Sequence, residues 1–301
     1  MKILNTPDDM HAACAHYHRD GRRIGLVPTM GALHEGHLSL IRAARAQSDV
    51  VAVSLFVNPL QFGPKEDLAK YPRTFERDRD LLEAEKVDLL FAPSNDAMYP
   101  PGATTFVTVE GLSDRLCGRS RPGHFRGVTT VVAKLFHIAK PDLAFFGQKD
   151  AAQVAIIRRM VRDLNLPVRI MVCPIVREKD GLALSSRNAY LDPQQRHQAL
   201  VLHRALMRVE ALTDSGERSA AKLIAAGKQA MAEEPGARLD YFEVVNPETL
   251  DPVADISHGA LVAVAAFIGK TRLIDNVVLH GAKLAAATSD SSSPRRHGGT
   301  E

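Results

Sequence analysis

Along residues 1–176, short apolar runs alternate with longer stretches in which apolar residues recur every three or four positions. That alternation is the signature of βαβ units wound on a parallel sheet. The run IGLVP at 24–28 reads as a strand. A helix opens near Glu35 to His37, with Leu38, Ile41 and Ala44 on one face, and VVAVSLFV at 50–57 reads as a fully buried strand. A helix over 74–85 precedes VDLLFAP, and TTFVTVE at 104–110 reads as a fourth strand. Val128, Val131, Val132, Leu135 and Phe136 share one helical face, and Pro141 stops that helix before DLAFF. A last helix at 151–164, ended by Pro167, leads into VRIMVCP. The expected fold is α/β, a Rossmann-like, doubly wound parallel sheet over residues 1–176, whose strand order the pattern leaves open.

The texture changes after Val176. A polar segment, REKDGLALSSRN, leads to helices at 193–213 and 217–233 and then to the apolar runs YFEVV, LVAVAAFI and LIDNVVL. A smaller α+β domain with a short antiparallel sheet is expected over 177–285, placed to act as a lid. The tail at 286–301 is rich in Ser, Gly and charge and is expected to be disordered.

Composition narrows the function classes. The 301 residues are 45% hydrophobic and 24% charged, an ordinary folded balance that excludes fibrous and membrane-spanning classes. The net charge of +3 owes part of its excess to Arg295 and Arg296 in the tail. It suits an anionic small molecule better than nucleic acid, because no basic stripe is present, Trp is absent and aromatics are only 5%. Cys14, Cys117 and Cys173 are far apart and match neither a disulfide framework nor a zinc site. Acidic residues in the N-terminal segment leave no export signal, so a cytoplasmic location is expected, and residues 260–279 are too polar for a membrane helix.

The candidate chemistry concentrates in PTMGALHEGHLSL, 28–40, where a strand ends in a Gly-containing turn and a helix opens with His34 and His37. Three residues apart, the two imidazoles can face one ligand. Open α/β sheets bind ligands beyond the carboxyl ends of their strands, and a helix N-terminus offers free N–H groups to phosphate. Gly31 and Gly36 would let a nucleotide approach the backbone closely. Read alone, a histidine pair at a helix start is equally well a solvated polar pair or part of a metal site, and S-S-R-N an ordinary polar turn.

The wider set of motifs is more specific: PTMGALHEGH (28–37), SLFVNPLQF (54–62), YPRT (71–74), GHFRGVTTVVAKLF (123–136), FFGQKDAAQ (145–153) and ALSSRNAYL (183–191). Together they make the chain resemble the pantothenate synthetases of the nucleotidylyl-transfer superfamily, over nearly everything before residue 285. The resemblance implies that pantoate, ATP and β-alanine give pantothenate, AMP and pyrophosphate through an acyl adenylate, with Mg²⁺ accompanying ATP. It implies catalytic roles for His34, His37 and Lys149. It also implies an ATP site drawn from Met30, Gly31, His34, Gly36, His37, Gly147, Gln148, Lys149, Asp150, Val176, Leu184, Ser185, Ser186 and Arg187. Gln61, Gln153 and Asn58 are implied to hold pantoate, with Tyr71, Asp78, Arg121 and His124 as further site candidates. Leu184 stands where methionine is often seen. No dedicated metal ligands are implied, and a homodimer is expected. The competing readings are a nucleotidylyltransferase, an ATP-sensing module without turnover and an aminoacyl-tRNA synthetase. Release of AMP dependent on an amine acceptor separates the ligase from the first two.

Overall fold

The structure, a computed structural model, describes residues 1–64 and 66–280. The tail expected at 286–301 and the last residues of the expected small domain, 281–285, lie outside the described residues.

The elements in chain order are β1 (Lys2–Leu4), α1 (Pro7–Arg19), β2 (Ile24–Thr29), α2 (Glu35–Gln47), β3 (Val50–Leu55), α3 (Phe75–Ala84), β4 (Leu89–Phe91), α4 (Asn95–Met98), α5 (Cys117–Ser120), α6 (His124–Ala139), β5 (Leu143–Gly147), α7 (Ala151–Asp163) and β6 (Arg169–Cys173). Then follow α8 (Pro193–Gln198), α9 (Leu200–Asp214), α10 (Ala220–Ala232), β7 (Ala237–Val245), β8 (Ala260–Ile268) and β9 (Thr271–Leu279). Local chemistry starts and stops these helices. In α1 the Thr6 side chain accepts from the Asp9 N–H, Pro7 opens the first turn beside Asp8 and Asp9, and His16, His18 and Arg19 sit in the last turn.

Strands β1 to β6 form one parallel sheet in the order β1-β4-β3-β2-β5-β6. The winding direction reverses between β2 and β5, so the crevice for a ligand opens beyond the carboxyl ends of these two strands. Val50, Val51, Ala52 and Val53 are wholly buried because helices cover both faces of the sheet. One apolar cluster joins the sheet to α1, α6 and α7; the other lies under α2 and α3.

The strand expected at 104–110 is absent: this stretch is irregular chain. Its backbone is held by threonines of α6 rather than by a neighbouring strand. Thr129 Oγ1 donates to the Val107 carbonyl at 2.6 Å, and the Val107 N–H donates to Thr130 Oγ1 at 3.0 Å. One edge of the sheet is β1, whose three residues are too few to show a period, and the other is β6.

Strands β7, β8 and β9 form an antiparallel sheet. Its side chains alternate between two clusters. Leu261, Ala263 and Ala265 face the core shared with α6 and α7, whereas Ala260, Val262, Val264 and Ala266 face α9 and α10. Both faces of this sheet are therefore buried, one of them against the parallel-sheet unit.

Candidate active site

The turn after β2 brings His34 to the switch point. Gly31 and Ala32 both take positive φ, +82° and +50°. What holds this turn is the wholly buried carboxylate of Asp78, which accepts from the Ala32 N–H at 2.8 Å, the Leu33 N–H at 2.9 Å and Thr74 Oγ1 at 3.0 Å. Arg77 Nη1 donates to the Leu33 carbonyl at 2.9 Å. Asp78 thus sits behind the site and shapes it.

His34 is the N-cap of α2. Its Nδ1 accepts from the Gly36 N–H at 3.1 Å, and His37 Nδ1 accepts from the His34 N–H at 3.3 Å. A backbone N–H only donates, so both rings carry their proton on Nε2, the nitrogen left free to donate into the cleft. The ring centroids are 4.1 Å apart. Burial, followed by the charge of Lys149, lowers the His34 pKa to about 4; burial, then His34, then Lys149, lowers that of His37 to about 3. Both imidazoles are neutral at physiological pH. Gly36 is glycine for an internal reason, since a Cβ there would lie 2.9 Å from the His34 ring.

At the end of β5, Gly147, Gln148 and Lys149 lead into α7. Lys149 Nζ stands 3.9 Å from Asp150 Oδ2, and a Cβ at Gly147 would meet nothing within 4 Å. Facing this turn, the segment 174–187 folds back on itself, the Leu184 N–H donating to the Val176 carbonyl at 3.0 Å. Ser185 caps the following turn by accepting from the Arg187 N–H at 3.3 Å, and Ser186 Oγ is 3.4 Å from the Tyr71 hydroxyl. Arg187 makes a two-bond pair with Asp67, at 3.0 and 3.1 Å.

Gln61 lies beyond the end of β3. Its Oε1 accepts from Asn58 Nδ2 at 3.0 Å and its Nε2 lies 3.0 Å from Met30 Sδ. Asn58 is 1% exposed and its amide is spent inside the protein: Nδ2 also donates to the Gly127 carbonyl, and Oδ1 accepts from the Tyr99 hydroxyl at 2.9 Å. The structure thus gives Asn58 the place of a support for Gln61. Arg121 pairs with Glu66 at 2.6 and 2.7 Å and donates to His124 Nε2, so His124 Nδ1 donates to the Gln61 carbonyl at 2.9 Å. Gln153 projects from the first turn of α7 into the same space.

These groups line one cleft with two lobes. The smaller, about 230 Å³, holds Met30, His34, Gly36, His37, Gln61, Val176 and Leu184; the larger, about 850 Å³, opens between the two sheets. Lys149, Asp150, Gln153, Ser185 and Arg187 border both. Gly31 and Asp78 border a separate cavity behind the turn. Asp67 and Glu66, which hold Arg187 and Arg121, were not among the expected site residues. Their partners are 120 and 55 residues distant, and no local pattern announces such pairs.

The comparisons with known proteins agree with this geometry. The sequence model of the Pantoate-beta-alanine ligase family matches residues 2–278. A pantothenate synthetase of Koribacter versatilis is 66% identical over 282 residues, covering 94% of this chain and 97% of the relative. The pantothenate synthetase structure from Thermus thermophilus superposes with a TM-score of 0.88 at 48% identity, covering 92% of this chain and 99% of that one. The pantoate-β-alanine ligase of Francisella tularensis, solved in complex with β,γ-ATP and β-alanine, gives a TM-score of 0.77 at 36% identity, covering 92% of this chain and 97% of that one. With the motif-bearing turns meeting at one switch point and the match running through both sheets, the chain belongs to the pantoate–β-alanine ligase family, enzymes that join pantoate to β-alanine to make pantothenate.

Proposed function

We propose that the chain forms pantothenate in two steps through a pantoyl adenylate. In the first, a carboxylate oxygen of pantoate attacks the α-phosphorus of ATP and the bond to pyrophosphate breaks. In the second, the unprotonated amine of β-alanine attacks the acyl carbon, the bond to the phosphate oxygen breaks, AMP leaves and the amine loses a proton. The observation that carries this reading is the pair of Nε2–H donors of His34 and His37 beside Lys149, at the mouth of the crevice between β2 and β5. Fixed donors and one cation suit charge growing on phosphate oxygens, and they need little reorganisation.

In this reading Lys149 and Arg187 meet the polyphosphate, Ser185 and Ser186 donate to it, and the backbone at Met30, Gly36, Gly147, Val176 and Leu184 borders the nucleotide, while Gly31, against Asp78 behind the turn, shapes the turn rather than touching the nucleotide. Gln61 and Gln153 hold the hydroxyls and carboxylate of pantoate without adding charge. Arg187 is engaged by Asp67, so ATP phosphates compete with that carboxylate. Mg²⁺ enters as part of the ATP complex. Among the described residues no group of three or more His, Cys, Asp or Glu stands ready to hold it, and Asp150, half-exposed at the cleft wall, suits a contact to its water shell.

Excluding water protects the adenylate. We assign residues 177–285 the part of a lid over the ATP-binding unit 1–176. Its sheet is anchored by an apolar face, so closure is a tightening of the outer lobe rather than a wide swing. Identical solution scattering with and without ATP plus pantoate would count against it. Family membership further supports a homodimer, checked by light scattering, and a cytoplasmic location. Among the described residues no helix is long and apolar enough to cross a membrane.

The test is release of AMP and pyrophosphate from Mg²⁺-ATP and pantoate, with and without β-alanine, in wild type, His37→Ala and Lys149→Ala. One AMP per pantothenate, dependent on both acids and lost in the folded variants, is the expected result. Nucleotide retained on the product would favour a nucleotidylyltransferase instead.

A further inference from the structure

An asparagine of the small sheet reaches across to the turn that carries Lys149. Asn276 on β9 is 3% exposed. Its Nδ2 donates to two successive carbonyls, Gln148 at 3.0 Å and Lys149 at 2.8 Å, while its Oδ1 accepts from Gln148 Nε2 at 3.0 Å. Residues 148–150 form a single short 3-10 turn between β5 and α7, and Asn276 adds a donor to two of its successive carbonyls from outside the turn. A short turn of this kind holds itself weakly, and one side chain from a distant strand ties two of its carbonyls and the Gln148 amide in place.

The neighbouring residue faces the other way. Asp275, 4% exposed, takes Arg177 in a two-bond pair at 2.6 and 2.9 Å, and its Oδ1 accepts from the Asn276 N–H at 2.8 Å. Arg177 pairs through its backbone with Ala183, two residues before Ser185. Successive residues of one strand therefore grip the Lys149 turn on one side and the base of the Ser185–Arg187 turn on the other.

We propose that Asn276 is a positioning residue for the reaction: it fixes the backbone from which Lys149 reaches the phosphates, so that both phosphate-binding turns are referenced to β9. This rests on the reading of Lys149 as a phosphate ligand. A lysine carries its charge on a flexible four-carbon stem, so its reach is set by where the backbone is held. Removing the anchor affects ATP, not the pantoate lobe around Gln61.

Asn276→Asp is nearly isosteric. It keeps an acceptor for Gln148 Nε2 but turns an oxygen toward the two carbonyls. We expect kcat/KM for ATP to fall on the order of 10²-fold, with KM for pantoate moved by less than about twofold, since small misplacements of reacting groups cost that much. In a Lys149→Ala background the same change should cost nothing further, because residues acting through one another are not additive. The affinity of a non-hydrolysable ATP analogue provides the same cycle where turnover is too slow to follow. If Asn276→Asp does not fold, Asn276→Ser, which keeps one donor, should exceed Asn276→Ala by about tenfold in kcat/KM for ATP, the effect of about one hydrogen bond. Full additivity with Lys149→Ala, an equal rise in KM for pantoate, or equal activity of the Ser and Ala variants would overturn the proposal. A Lys149→Ala variant with wild-type kinetics would instead overturn the reading of Lys149.

Discussion

Asp78 tests how the His34 turn is held. The turn contains two residues at positive φ, one of them Ala32, for which the left-handed region costs ~1–2 kcal/mol. Two N–H groups, that of Leu33 buried and that of Ala32 partly so, and one hydroxyl converge on the Asp78 carboxylate. In Asp78→Asn one N–H loses its oxygen and faces an NH₂ group, a loss of ~2–3 kcal/mol from one charge-assisted bond and one stranded donor. Asp78→Ala strands both donors and should lose ~3–5 kcal/mol, a large part of the ~5–15 kcal/mol that holds a typical protein folded. Urea unfolding followed by circular dichroism gives the midpoint and slope. Steady-state kinetics on the folded fraction give the second readout, an expected fall in kcat on the order of 10²-fold as the His34 end of α2 shifts. An unchanged midpoint in Asp78→Ala would refute the energetic argument. A large loss of stability with wild-type kcat would refute the claim that this carboxylate orients the histidines.

Further expectations follow from the same geometry. His37→Gln retains a donor near the position of Nε2 and should keep at least about tenfold more kcat than His37→Ala, whereas equal values would argue against hydrogen-bond donation from that nitrogen. His34, His37 and His124 all have folded-state pKa values near 3 or 4, against an ordinary 6.5, with burial the first cause in each. Below about pH 6.5 the unfolded chain therefore binds protons that the folded chain refuses, and stability present at neutral pH is lost as pH falls toward 4. Each ring contributes up to ~2 kcal/mol of that loss between pH 7 and 5, less any solvent screening, so a melting temperature unchanged over this interval would refute it. In Gly127→Ala a Cβ would lie 2.3 Å from the Leu60 carbonyl oxygen and 2.6 Å from the Gln61 nitrogen, backbone that cannot yield without moving Gln61. KM for pantoate should rise about tenfold while KM for ATP holds, as one well-placed polar contact is lost; the reverse pattern would place Gln61 in the ATP site.

The burial pattern of the small sheet bears on how the cleft works. Because Leu261, Ala263 and Ala265 pack into the core shared with α6 and α7, opening this seam would expose apolar surface at roughly 25 cal/mol per Å². The Arg187–Asp67 pair, by contrast, bridges the outer lobe through side chains that water can replace. Ligand-driven movement is therefore expected in the outer lobe first.

The local features were legible from residues alone. Apolar spacing marks α2, α6 and α7, apolar runs mark β2, β3, β5 and β6, and the chain itself places His34, His37 and Lys149 just beyond strand ends. These signals have a range of about four residues or fewer, the reach of helical and strand periodicity. The same locality misread 104–110, where an apolar stretch satisfies its backbone on α6 threonines instead of a strand, and missed the three-residue β1. The tertiary structure alone decided the strand order that puts β2 beside β5, and the tautomers that aim two Nε2–H groups into the cleft. It alone joined Asp78 to Ala32 and Leu33, and Asn276 to Lys149 across 127 residues. Such contacts form where distant chain segments are brought together by burial of apolar surface, and burial depends on the whole sheet rather than on the residues that happen to meet.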